Sequence, residues 1–305
     1  MTKSYSIQNE SDPVDCRMNS VLSIALDNFQ LKISREGSGR RAIVIGSHKY
    51  YPRVFSENLK SKLELICLDT RGFAPYVASQ TQADFTVDKI MQDIEALQVK
   101  LANQQSAGVP DQIILIGHSI HAFMALEYAR RYPDRVVQLV LIGTSPMVGQ
   151  KNYEEADRYF NESVCPERKA AFVANMKAIK ESGDMSFVSR MLAFGPRLWY
   201  DHGFDASELW EGVEVNSMGA GIIWGYMFAG YDTASALKAI KCPIFLALGR
   251  YDYFNPPHLW EPYRSCAPDL TIRVFEKSGH TPQLEEPEKF DSELLGWLER
   301  PRVVE

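Results

Sequence analysis

The chain has 305 residues, 45% of them hydrophobic, enough for one large core or a core with an insertion. Its formal charge of −6 leaves no basic footprint for nucleic acid. No apolar run approaches the length of a membrane span, and the polar first twenty residues do not read as a signal peptide.

In chain order, residues 1–18 read as loosely attached. Residues 21–34 alternate in polarity and predict a hairpin turning at Asp27-Asn28. Ile43-Val44-Ile45-Gly46 reads as a buried strand, and a helix is expected from Tyr51 to Lys60. Leu63 to Leu68 reads as the next strand. Val87, Ile90, Met91, Ile94, Leu97 and Leu101 recur at helical spacing over 86–101.

The most informative segment follows. The apolar run Ile113-Ile114-Leu115-Ile116 leads into Gly117-His118-Ser119-Ile120-His121-Ala122 and then a helical pattern from Phe123 to Arg131, stopped at Tyr132-Pro133. Strand, tight turn with a serine, helix: this context gives a small-x-Ser-x-small pattern chemical meaning. A serine hydroxyl attacks only when a base takes its proton. The turn lifts the hydroxyl clear of the sheet, and the helix start aims free N–H groups at the same spot.

Val136 to Ile142 reads as another buried strand. Strand–helix alternation then lapses from about 148 to 236, a helix-like stretch rich in Phe, Trp, Tyr and Met. It resumes with Phe245-Leu246-Ala247-Leu248-Gly249-Arg250-Tyr251-Asp252 and Val274-Phe275-Glu276-Lys277-Ser278-Gly279-His280. The order Ser119, Asp252, His280 is the order this serine motif requires, each residue just past a strand. Ser119 is the expected nucleophile, His280 its base, and Asp252 the acid that orients the imidazole.

These segments together resemble the α/β-hydrolase superfamily, over about residues 25–300. Gly46-Ser47-His48 sits at the family's oxyanion loop, and Leu68-Asp69-Thr70-Arg71-Gly72-Phe73 is similar to its Asp-x-Arg-Gly turn. The resemblance implies an α/β fold: a mostly parallel central sheet flanked by helices, with a helical cap insertion. The core would be 1–147 and 237–305, the cap 148–236. It implies an oxyanion hole from the N–H of Ile120 and of His48, or of Ser47 if the loop shifts by one.

His121 departs from the family pattern, which has a small residue two past the serine. It is expected to pack as a buried histidine bonded to a nearby loop. His118, His121, Met191, Trp224 and Met227 are the expected substrate-pocket residues. The implied activity is a cofactor-independent serine hydrolase acting through an acyl-enzyme on a small, moderately hydrophobic ester. A proline-iminopeptidase-like enzyme, with Glu208, Glu211 or Glu214 gripping an amine, or a ligand sensor with little turnover stand as alternatives. No metal-ligand spacing and no dinucleotide fingerprint occur. The expected partner is a small molecule, with no nucleic acid, membrane or cofactor, the protein being a monomer or homodimer. Five cysteines, none in Cys-x-x-Cys spacing, point to the cytoplasm.

Overall fold

The computed structural model describes residues 22–76, 79–103 and 112–300. The expected loose segment 1–18, with Cys16, lies outside them.

The hairpin forms from β1 (Leu22–Leu26) and β2 (Phe29–Glu36), turning through Asp27 at a φ of 53°. Next come β3 (Arg40–Gly46), α1 (Glu57–Lys60), β4 (Leu63–Asp69), α2 (Val87–Asn103), β5 (Ile113–His118), α3 (His121–Arg131) and β6 (Val136–Ile142). The helical stretch holds α4 (Gln150–Ser163), α5 (Pro166–Ser182), α6 (Phe187–Ala193), α7 (Gly195–Leu198), α8 (Ser207–Trp210), α9 (Ser217–Gly225) and α10 (Thr233–Ala239). Then follow β7 (Ile244–Gly249), β8 (Leu270–Phe275), α11 (Pro282–Glu285) and α12 (Pro287–Leu298).

The strands make one sheet in the order β1-β2-β4-β3-β5-β6-β7-β8. β1/β2 and β2/β4 pair antiparallel, and every later pairing is parallel. Parallel strands covered on both faces read as continuous apolar runs. On β3, Ile43 and Ile45 face one core cluster while Ala42 and Val44 face the other. The order jumps back across β3 and β5, so the loops after these strands open together at the carboxyl edge of the sheet.

One expected helix breaks in two. Pro52 starts a short 3-10 turn, Tyr51–Arg53, and α1 begins only at Glu57. Ser56 is extended (ψ 155°) and its hydroxyl accepts the Leu59 N–H, so it caps a new helix. The expected cap boundary at 236 falls inside α10, which packs on α3.

A charged cluster ties α3 to the end of the helical stretch. Glu127 is buried and accepts hydrogen bonds from Arg130, Arg131 and the Tyr231 hydroxyl. Burial alone would push this carboxyl up, but those three donors hold it down, at about 2 against an ordinary 4.5. A depressed folded-state value stabilises the fold above the unfolded value. Stability is therefore expected to fall as pH drops from 4.5 to about 2. Glu127→Gln should flatten that acid limb in urea unfolding followed across the same range. An unchanged limb would assign it to other carboxylates.

Candidate active site

The turn between β5 and α3 is held in a conformation that costs backbone energy. Ser119 has a φ of 57°, unusual for a residue with a side chain. Its N–H bonds the Ile142 carbonyl at the end of β6, at 2.9 Å. Gly117 makes the turn possible, because a Cβ there would lie 2.5 Å from the His121 carbonyl oxygen.

The acid and base loops touch in the same way. A Cβ on Gly249 would lie 1.8 Å from the Gly279 carbonyl oxygen, so only glycine lets β7 release its loop against that of β8. Asp252 is buried. Its Oδ1 accepts the N–H groups of Phe254 and Asn255 at 3.0 and 2.8 Å, and its Oδ2 faces His280 Nδ1 at 2.8 Å. Asn255 in turn donates its side-chain N–H to the Gly143 carbonyl. The carboxylate thus has one oxygen locked by backbone and one left for the imidazole.

Glu285, which the sequence did not single out, brackets His280. Its carboxylate accepts the N–H groups of Gly279 and Thr281, on either side of His280, and that of Tyr200 in the helical stretch. Burial pushes this carboxyl up to about 7, against the pull of those three N–H groups.

Ser119 and His280 line one cavity of about 60 Å³, with no direct hydrogen bond between them among the described residues. Tyr50, Tyr51, Phe73, Phe187 and Trp210 wall it. Ser119 also opens onto a second cavity of about 390 Å³, bounded by Ile120, Phe123, Met147 and Phe254, with Arg190, Asp157 and Arg197 among its lining. Phe187, Met191 and Trp224 line both. Of the expected pocket residues, His118, His121, Met191 and Trp224 meet around Ser119. Met227 does not: α9 ends at Gly225, the chain turns, and Met227 packs against the main core instead.

The expected oxyanion donor at His48 is also displaced. The His48 N–H is already bonded to Asp69 Oδ1 at 2.7 Å, and its ring Nδ1 lies 2.9 Å from the same carboxylate. By contrast, no hydrogen bond from the Ser47 or Ile120 amide is found among the described residues. The Ser47 hydroxyl accepts the N–H groups of Lys49 and Tyr50, which fixes the loop.

His121 is bonded as expected of a packed histidine, with Nδ1 3.0 Å from the Tyr51 hydroxyl. Tyr51 went unnoticed in the sequence, where only its adjacency to the oxyanion loop could have flagged it. His118 Nδ1 lies 3.3 Å from the same hydroxyl, and its Nε2 lies 2.9 Å from the His280 carbonyl. Among the described residues no group of His, Cys, Asp and Glu is arranged to hold a metal, and no helix is long and apolar enough to cross a membrane. The described cysteines, Cys67, Cys165, Cys242 and Cys266, are free thiols.

Comparison with known proteins gives consistent results. Residues 44–287 match the family model described as alpha/beta hydrolase fold. The chain is 35% identical over 279 residues to the AB hydrolase superfamily protein YclE of Bacillus subtilis (strain 168), covering 90% of this chain and 97% of that one. It is 28% identical over 182 residues to the pimeloyl-[acyl-carrier protein] methyl ester esterase of Aromatoleum aromaticum, covering 59% and 71% of the two chains. It is 25% identical over 227 residues to the proline iminopeptidase of Heyndrickxia coagulans, covering 68% and 74%.

Proposed function

The chain belongs to the α/β-hydrolase family, and from that premise we propose that it is a cofactor-independent serine esterase working through an acyl-enzyme. The observation that carries the reading is the hydrogen bond between His280 Nδ1 and a buried Asp252, on a histidine that shares a cavity with a serine at positive φ. Asp252 keeps the proton on Nδ1, so Nε2 is free to act as base. Ser119 Oγ attacks the acyl carbon and its proton passes to His280. The N–H groups of Ile120 and Ser47 receive the developing oxyanion. His280 then returns the proton to the leaving oxygen, and water repeats the cycle to release the acid. The helical stretch from about residue 148 to the start of α10 acts as the cap that supplies Met191 and Trp224 to the pocket.

Aminopeptidase activity is disfavoured by the cap glutamates. Glu214 pairs with Lys32 at 2.8 Å, and Glu208 and Glu211 are exposed. None of the three lines either cavity around Ser119. Asp157, which does line the larger one, is paired with Arg197. Among the described residues, a substrate ammonium would find no unpaired carboxylate lining either cavity.

A fluorophosphonate is expected to add one adduct, located by mass spectrometry on the peptide containing Ser119. Ser119→Ala should lose both the adduct and ester turnover. Labelling at a different serine, or undiminished turnover in the variant, would overturn the reading. Tight binding of esters without turnover would make the protein a sensor instead.

A further inference from the structure

The larger cavity carries a charge that the protein leaves uncompensated. Among the described residues, every arginine but one engages its guanidinium in a hydrogen bond or ion pair. The exception is Arg190, which makes neither and is exposed. It sits on α6 with Phe187 and Met191, and Phe194 closes that helix. All four line the cavity of about 390 Å³ that Ser119 opens onto. Positions 187, 190, 191 and 194 fall on one face of a helix, so Arg190 stands on the cavity side of α6.

A residue that lines a cavity and is also exposed stands at its rim. Tyr153 on α4 meets the same two conditions, and its hydroxyl has no hydrogen bond among the described residues. The mouth is therefore edged by α4 and α6, with an unpaired cation and an unpaired phenol on it. The other charges of the lining cancel: Arg197 is ion-paired with Asp157, and its guanidinium lies over Phe160 and Phe172. One positive charge is left over, on a chain whose net charge is −6. Much of the remaining wall is apolar, and a low-dielectric wall strengthens the pull of a cation on an anion held beside it.

The cavity's place in the reaction follows from His280, which lines the small chamber and not the larger one. The group that hands a proton to the leaving oxygen marks the leaving-group side. The small chamber, about 60 Å³, has room for about four water-sized groups, enough for a short alcohol. The larger cavity is left for the acyl half, which starts at Ser119 and extends toward the rim.

We propose that Arg190 anchors a carboxylate at the far end of the acyl half, so that the preferred substrates are short-alcohol monoesters of dicarboxylic acids. The inference rests on the serine-esterase reading above. A guanidinium with no internal partner can receive a carboxylate through two parallel N–H donors, which fixes both its distance and its orientation. An acyl chain without the terminal charge gains no such contact.

The test compares the monomethyl ester of a diacid with the methyl ester of its monoamide, which has the same number of heavy atoms and no charge. The pair is repeated along the series from succinate to sebacate. At the length the wild-type enzyme hydrolyses best, kcat/KM is expected to favour the carboxylate by about tenfold or more. The gain should appear in KM rather than kcat, because a contact remote from the reacting carbon is made equally before and in the transition state. Raising the salt from about 0.05 M to about 0.5 M should shrink the ratio severalfold, since a pair at the rim is open to screening. Arg190→Gln should bring the ratio to one or below, the net charge of the chain being negative. Arg190→Lys should keep part of it, as a charge without the fork. Fluorophosphonate labelling of Ser119 shows that each variant has folded. If Arg190→Gln fails it, the salt series on the wild-type enzyme carries the test.

A wild-type ratio near or below one at every length, with Ser119 labelling normally, overturns this inference and leaves the esterase reading standing. So does a carboxylate preference that survives in folded Arg190→Gln or that salt leaves unchanged. If the wild-type Ser119 escapes the fluorophosphonate, the esterase reading falls and this inference falls with it.

Discussion

Asp252→Asn is expected to lower kcat by about ten-thousandfold while leaving the melting temperature nearly unchanged. The size of the effect comes from how the carboxylate is held. Its Oδ1 is fixed by the N–H groups of Phe254 and Asn255, so the amide oxygen of an asparagine would keep that position. The amide nitrogen would then face His280 Nδ1, where Oδ2 stands now, 2.8 Å away. Two donors cannot share one hydrogen bond, so Nδ1 gives up its proton. The imidazole carries it on Nε2 and has no lone pair left for the Ser119 hydroxyl. Steady-state kinetics with a small ester and a thermal melt check both halves of the expectation. A loss of under about tenfold would mean that a different group orients the base. A matching fall in melting temperature would mean that Asp252 serves the fold rather than the reaction.

Arg71→Met is expected to destabilise the protein by about 3–5 kcal/mol, measured by chemical denaturation. Arg71 is fully buried at the turn after β4. It makes a two-pronged bond to Asp93 on α2 at 2.7 and 2.8 Å, reaches Asp27 in the hairpin at 2.9 Å, and donates to the Asp84 carbonyl. Its guanidinium also lies over the Phe29 ring, 4.9 Å from the centroid. Removing the cation strands the Asp93 carboxylate, itself buried, without a counter-charge. Adding Asp93→Leu to Arg71→Met should recover much of the loss, because replacing both partners removes the stranded charge. A single-variant loss below about 1 kcal/mol would show that the pair contributes little. The consequence for the site is local, since Phe73 follows two residues later and packs on both His121 and Trp224. The variant should therefore also lose activity below its unfolding temperature as that wall of the pocket loosens.

The elements proposed to carry the chemistry are legible because each is written in a short run of residues. Ser119 stands between four apolar β residues and a helical period, Asp252 three residues past Gly249, and His280 directly after Gly279. Apolar runs likewise mark the parallel strands, since a sheet covered on both faces demands them, while alternation marks the antiparallel hairpin of β1 and β2. The helix expected from Tyr51 divides because the apolar spacing continues through a break: the Pro52 turn ends at Arg53, and the Ser56 hydroxyl caps α1 anew.

What the sequence by itself determined is the family, the order of strands and helices, and which residues end up at the carboxyl edge of the sheet. Tertiary structure alone decided how the side chains there spend their hydrogen bonds. The His48 amide looks available until the end of β4 brings Asp69 against it, while the Ser47 amide has no hydrogen bond among the described residues. Met227 belongs to the aromatic stretch by composition but turns into the core once α9 ends. Glu285 reaches both sides of His280, and Tyr51 is shared between His118 and His121, residues 67 and 70 positions away. A hydrogen bond is a short-range, directional contact between groups that the sheet brings together from distant parts of the chain. Its partners follow from the register of the packed strands, not from any local pattern of residues.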